Sequence, residues 1–235
     1  MNIRSITYFD DPRDPVDEQV LQRAEHFITD ALSAFQKAGY EVQTARFATP
    51  PFPELLTRLD QRSLLTYAQD LEGKIAHAGF EYLSLGPALP QRPDSFGLIP
   101  KVIQETDQVF FSGSLTDARR GVSLPAVRSC GQIIHRLARV DADGFANLYF
   151  AALGNVSPGA PFFPAAYHDG GPPGFALALE GADLALKTFQ DAADFQDAQE
   201  KLIRLLEPHG EILTAAGKGL AETHQFTFRG IDYSL

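Results

Sequence analysis

The chain has 235 residues, 44% of them hydrophobic and 21% charged, with a formal net charge of −10. That length buries a full core at the upper end for one domain, and the composition is that of a globular chain rather than a disordered one. The acidic balance and the lack of any Lys/Arg run speak against a nucleic acid or an anionic membrane surface as partner, and the single cysteine, Cys130, leaves no disulfide or thiolate zinc site to build within the chain.

One cysteine fits a reducing compartment. Met1 to Asp11 is too short and too acidic for a signal peptide, and no apolar stretch approaches the ~20 residues that span a bilayer. A cytoplasmic protein is expected.

Asn2 to Phe9 is β-rich and ends in Asp10 and Asp11. A helix should follow, with Asp14 as N-cap and Pro15 at its first position. Val20, Ala24, Phe27, Ile28, Ala31, Leu32 and Phe35 form its apolar face, and Gly39 stops it. Tyr40 to Ala48 reads as the second strand. Pro53 opens the next helical region, whose stripe is Leu64, Tyr67, Ala68, Leu71 and Ile75. Phe80 to Leu85 is strand three. A short helix over Ser95 to Thr106 has Pro100 in its first turn or at a kink. Gln108 to Phe111 is strand four. Ser123 caps a helix whose face carries Val127, Cys130, Ile134 and Leu137, and Phe145 to Leu153 is strand five.

A Pro/Gly-rich loop of about 20 residues follows, Gly154 to Gly174. Loops of that length in a compact domain are usually functional or disordered. Phe162, Phe163 and Tyr167 favour an ordered one, with both phenylalanines anchored in the core. Then come a strand, Phe175 to Leu179, and helices over Ala182 to Gln190, Asp194 to Leu206 and Glu211 to Glu222. A last strand runs from Gln225 to Tyr233. This alternation predicts an α/β fold with a mainly parallel sheet, flanking helices and strands in one direction. The chain reads as a single domain, 1–235. Its end on a strand suggests a natural protein that continues past Leu235.

Parallel sheets bind ligands beyond the carboxyl ends of their strands. Those ends carry Asp10, Thr49, Ser112, Ser114 and Asn155. Beyond Ser114, Arg119 and Arg120 are candidates to fork onto a carboxylate or phosphate. The Asn155–Gly171 segment presents Tyr167, His168 and Asp169 together, with His168 a candidate acid or base. The bland alternative is a loop whose aromatics plug the sheet edge. Of the other histidines, His26 and His77 read as surface residues, His135 as a satisfied core or boundary residue, His209 as lying at a helix break and His224 as approaching the sheet. No metal-ligand spacing exists, and a site from His168, Asp169, His224 and Glu180 would have to be assembled by folding. No metal is expected, and the cofactor is undefined. No G-x-S-x-G elbow, phosphate loop or dinucleotide fingerprint occurs. Cys130, on an apolar stripe, reads as an inert thiol.

Four segments together resemble one prokaryotic family: Asn2-Ile-Arg-Ser-Ile-Thr-Tyr8, Arg46-Phe-Ala-Thr-Pro-Pro-Phe-Pro53, the Asn155–His168 loop and Phe228-Arg-Gly-Ile-Asp-Tyr-Ser-Leu235. It is the domain of unknown function numbered seven hundred and eleven, and the resemblance spans the whole chain. It implies a fold similar to pyruvate formate-lyase and the other glycyl-radical enzymes, a ten-stranded α/β barrel made of two five-stranded halves. The five strands up to Leu153 would be one half, and Gln225 to Leu235 would lie in the other. Radical chemistry needs a loop cysteine and a radical glycine segment. The one cysteine here is helical and no such segment is present, so that chemistry is excluded for this chain. Two functions remain. One is a metabolic enzyme for a small polar or anionic molecule, with Arg119 and Arg120 as clamp, Asn155 as orienter, Tyr167 and His168 as acid/base pair, and Ser112, Ser114 and Asp10 as further substrate contacts. The other is a non-catalytic small-molecule-binding or sensing module. Assembly into a homo-oligomer is left open.

Overall fold

The computed structural model describes residues 1–117 and 119–234. The elements run β1 (Asn2–Phe9), α1 (Glu18–Lys37), β2 (Ala45–Ala48), α2 (Phe52–Leu55), α3 (Gln61–His77) and β3 (Tyr82–Ala88). A 3₁₀ turn, Pro93–Leu98, leads into α4 (Ile99–Glu105) and β4 (Val109–Ser114). The two-residue pair β5 (Thr116–Asp117) and β6 (Gly121–Val122) precedes α5 (Leu124–Leu137). A second 3₁₀ turn, Phe145–Tyr149, enters β7 (Phe150–Leu153). After the long loop come β8 (Gly174–Glu180), α6 (Ala182–Gln190), α7 (Phe195–His224) and β9 (Thr227–Ser234).

The main sheet is curled and seven-stranded, in the order β7-β4-β3-β2-β1-β8-β9. The β1–β2, β2–β3, β3–β4 and β4–β7 pairs are parallel. The single direction expected from the sequence fails at β8, which runs antiparallel to β1, while β9 is parallel to β8. The reversal has a local cause: the long loop leaves β7 and enters β8 at the same carboxyl end of the parallel strands, so no crossover helix turns the chain round. The last strand also belongs to this same sheet, not to a separate half. The described strands leave β7 and β9 as open edges rather than closing a barrel.

Alternation along the strands makes one face of the sheet apolar. Ile6, Tyr8, Phe47, Leu83, Phe111, Phe175 and Leu177 are fully buried there against Phe27 and Phe35 of α1, Leu64 and Leu71 of α3 and Ile99 of α4. Each such side chain contributes about 1.5–3 kcal/mol through burial. The predicted stripe of α3 is buried at all five positions, and Ser123 caps α5 by accepting from the Ala126 N–H at 3.3 Å.

Several expectations need correction. The cap of α1 is Asp17, extended in backbone and accepting from the Gln19 N–H; Asp14 accepts instead from Thr57 N at 2.9 Å. Of the second strand expected over Tyr40 to Ala48, residues 40–44 hold only an isolated bridge, Val42 with Ile3. Residues 145–149 are a 3₁₀ turn, not strand. On α5 the buried set is Ala126, Cys130, Ile133 and Leu137, so Val127 and Ile134 sit one position off the stripe and are exposed. His135 is exposed too. Pro208 does not divide α7. Beyond it Leu213, Gly217 and Leu220 are buried, and Phe228 of β9 packs against Gly217. That packing offsets the ~3 kcal/mol a helix-interior proline costs.

Candidate functional site

The second face of the sheet differs in chemistry. Thr7, Arg46 and Tyr82 lie side by side across β1, β2 and β3, and Phe9, Ala48 and Ser84 form the next layer. Among the described residues it is the 154–173 loop, not a helix, that covers this face. Thr7 Oγ1 donates to the Pro161 carbonyl at 3.3 Å and Ser84 Oγ to the Ala166 carbonyl at 2.7 Å. Ala166 packs with Phe9, Ala48 and Ala176, and Phe163 closes that small cluster. Phe162, expected in the core, is exposed.

The loop holds itself closed. Tyr167 donates its hydroxyl proton to the Val156 carbonyl at 2.8 Å. Gly159 N donates to Tyr167 O, and His168 N to Thr49 O, both at 2.9 Å. The His168 ring is fully buried. Its Nε2 lies 3.0 Å from the Gly171 carbonyl and so carries the proton, while Nδ1 faces Asp169 Oδ1 at 3.3 Å. Burial holds the imidazole below its ordinary pKa, against the pull of Gly171 and Asp169. Asp169 also takes a forked bond from Arg229 of β9, at 3.1 and 3.3 Å, and Arg229 lies over the Phe9 ring. Burial would raise the Asp169 carboxyl, but the Gly171 N–H, Arg229 and His168 outweigh it and hold it below the usual value.

The remaining strand-end candidates do not converge on one point. Asp10 is buried and saturated: it accepts from Tyr8 Oη at 2.6 Å, Arg23 at 2.7 Å and the Asp11 N–H at 2.8 Å. Ser112 is buried with its hydroxyl unpartnered among the described residues, and Ser114 Oγ donates to Thr116 O. Asn155 is exposed, left-handed at φ 57°, and donates its backbone N–H to Thr116 Oγ1. Arg119 and Arg120 are exposed in the β5–β6 turn, which Asp117 Oδ1 caps through both of their N–H groups. His168 and Asp169 are together, but His224 faces Asp30 at 3.1 Å and Glu180 bonds Gln43. Among the described residues no three potential metal-ligating side chains gather. Cys130 is buried on the helix-covered face, and burial pushes its thiol up to about 11.

What the sequence reading missed is Arg46. It borders a cleft of about 430 Å³ on the second face, near the amino ends of the strands, with Arg4, Gln43, Thr44, Tyr82, Phe110, Tyr149 and the loop tip Pro161–Phe163. Its guanidinium is held between the rings of Tyr82 and Phe163, 5.7 and 5.3 Å from their centroids. Nε donates to Thr44 Oγ1 at 3.1 Å, and it forms no ion pair among the described residues. Burial, reinforced by Arg4, pulls the guanidinium down to about 10, so it stays cationic at neutral pH. The signal was present: a charge inside a short central strand whose other residues, Ala45, Phe47 and Ala48, are apolar.

The family described as Uncharacterised ACR (DUF711) matches residues 1–235. A UPF0210 protein of Acetivibrio thermocellus is 22% identical over 202 residues, which is 81% of this chain and 45% of that protein. A UPF0210 protein of Neisseria meningitidis serogroup A is 26% identical over 141 residues, 57% of this chain and 31% of its own. One from Clostridium botulinum Eklund 17B is 23% identical over 159 residues, 64% and 35%. The chain thus spans less than half the length of the curated relatives it matches. With a match over every residue, the chain belongs to the DUF711 family.

Proposed function

We propose that this chain supplies the binding wall for a small anionic molecule, on the loop-covered face of its sheet, with Arg46 as the anchoring cation. The observation that carries the reading is the state of that guanidinium: stripped of much of its water, fixed by two aromatic rings and Thr44, and in ion-pair contact with no carboxylate among the described residues, Glu81 acting on it only from a distance. Holding a cation partly desolvated without a carboxylate in direct contact costs stability, and an anion in the cleft recovers it. The cleft lies in the size range of small-ligand sites, ~300–1,000 Å³. Tyr167 and His168 support the loop that roofs this face, since their donors already serve Val156 and Gly171. This favours the binding reading over an acid/base pair at the strand ends. The curled sheet, and relatives more than twice the matched length, also support reading it as part of a ten-stranded barrel of the glycyl-radical type, with this face inward. The compartment that suits a lone buried thiol is the cytoplasm.

Thermal shift of the wild type and Arg46→Gln against small carboxylates and inorganic phosphate tests the binding reading. An anion at 100 times its Kd stabilises by about 2.7 kcal/mol, which should raise the Tm of the wild type and leave Arg46→Gln unmoved. No stabilisation by any anion, or equal stabilisation of both proteins, refutes it.

A further inference from the structure

The cleft beside Arg46 is walled by rings. Tyr82 and Phe110 meet edge-on at 5.3 Å, Phe110 and Tyr149 lie tilted at 4.7 Å, and Phe163 closes on Phe110 at 5.4 Å. Phe162 and Leu148 stand exposed at its mouth. A bare inorganic anion would leave this apolar surface wet. At the polar end, Thr44 occupies Nε of Arg46, so the two terminal nitrogens remain as a single fork. One fork matches one carboxylate. A dianion is disfavoured, because the neighbouring cation, Arg4, already faces Glu180 at 3.8 Å, and Gln43 fixes that carboxylate beside the cleft.

We infer that the ligand of this site is a planar aromatic monocarboxylate, its carboxylate forked onto Arg46 and its ring laid against Phe110 and Tyr149. The inference rests on the anion-site reading above. It names the part of the molecule that the reading leaves open.

The test is isothermal titration of the full chain at low salt with four probes: benzoate, acetate, benzamide and inorganic phosphate. Benzoate should bind roughly tenfold or more tightly than acetate, by the worth of aromatic contacts, and similarly more tightly than uncharged benzamide. Tyr149→Ala should weaken benzoate and leave acetate unchanged. Arg46→Lys, which keeps the charge and loses the fork, should weaken both carboxylates, with folding of each variant checked by circular dichroism. If benzoate binds no better than acetate, or phosphate binds best, and binding still depends on Arg46, the aromatic class is wrong and the anion site stands. If no probe binds in an Arg46-dependent way, the anion site itself fails.

Discussion

Replacing Asp10 by Ala separates a scaffolding role from ligand contact at the end of β1. The carboxylate is buried and joins three partners: the Tyr8 hydroxyl at 2.6 Å, the Arg23 guanidinium at 2.7 Å and the Asp11 N–H at 2.8 Å. Removing it strands the Tyr8 hydroxyl in the core, which costs about 1–3 kcal/mol. Arg23 is 40% exposed, so losing its pair adds at most about 1 kcal/mol. The sum is a destabilisation of about 1–4 kcal/mol, read from urea unfolding at constant m. Tyr8→Phe keeps the stacking on Phe27 at 5.2 Å and should cost about 1.5–3 kcal/mol by removing a hydrogen bond to a charged acceptor. The double variant should fall short of additivity by about 1–2 kcal/mol, because once the carboxylate is gone no hydroxyl is left stranded. Full additivity, or an Asp10→Ala protein within about 0.5 kcal/mol of wild type, refutes the scaffolding argument.

Three further outcomes are expected. Burial lowers the pKa of His168, so its contribution is complete above its unfolded value, about 6.5, and is lost as pH falls from there through the folded value; the wild-type unfolding midpoint should drop more steeply over that range than that of His168→Gln, and parallel curves would count against it. At Gly86, φ is +69° and an added Cβ would meet Pro50 O and Pro51 Cα at 2.9 Å, backbone that cannot step aside, so Gly86→Ala should destabilise by about 2–4 kcal/mol in urea, and a neutral result would contradict that packing. Cys130, with its thiol raised to about 11, should resist a thiol reagent at pH 8 in the native protein and react at once in urea; fast native labelling would place it elsewhere.

Periodicity was a sound guide wherever a helix packs one stripe. Leu64, Tyr67, Ala68, Leu71 and Ile75 are legible because α3 has one neighbour face and no competing signal. Ser123 is legible because a cap is local chemistry. Pro208 misled because its cost is local, while the packing that carries α7 past it comes from α1, far away in sequence, and from the strand β9 that follows the helix. The direction of β8 was hidden for a related reason: its continuous run of buried residues reads the same whether it pairs parallel or antiparallel. At the site, the Tyr167–Asp169 cluster was visible as a motif, but its enclosure depends on Thr49 and Arg229. Arg46 was passed over because strand ends, not strand interiors, were searched for ligand contacts.

The antiparallel partnership of β1 and β8 also bears on how the chain is made. Asn2 pairs with Glu180, and Phe9 with Gly174. On the ribosome, β1 can find β2 early but must wait for some 165 further residues before its other edge is paired. At ~5–20 residues per second that is on the order of 10–30 s. During that interval an eight-residue strand containing Ile3, Ile6, Tyr8 and Phe9 offers an open hydrogen-bonding edge. β1 is thus open to miscoupling along that edge until β8 has been made.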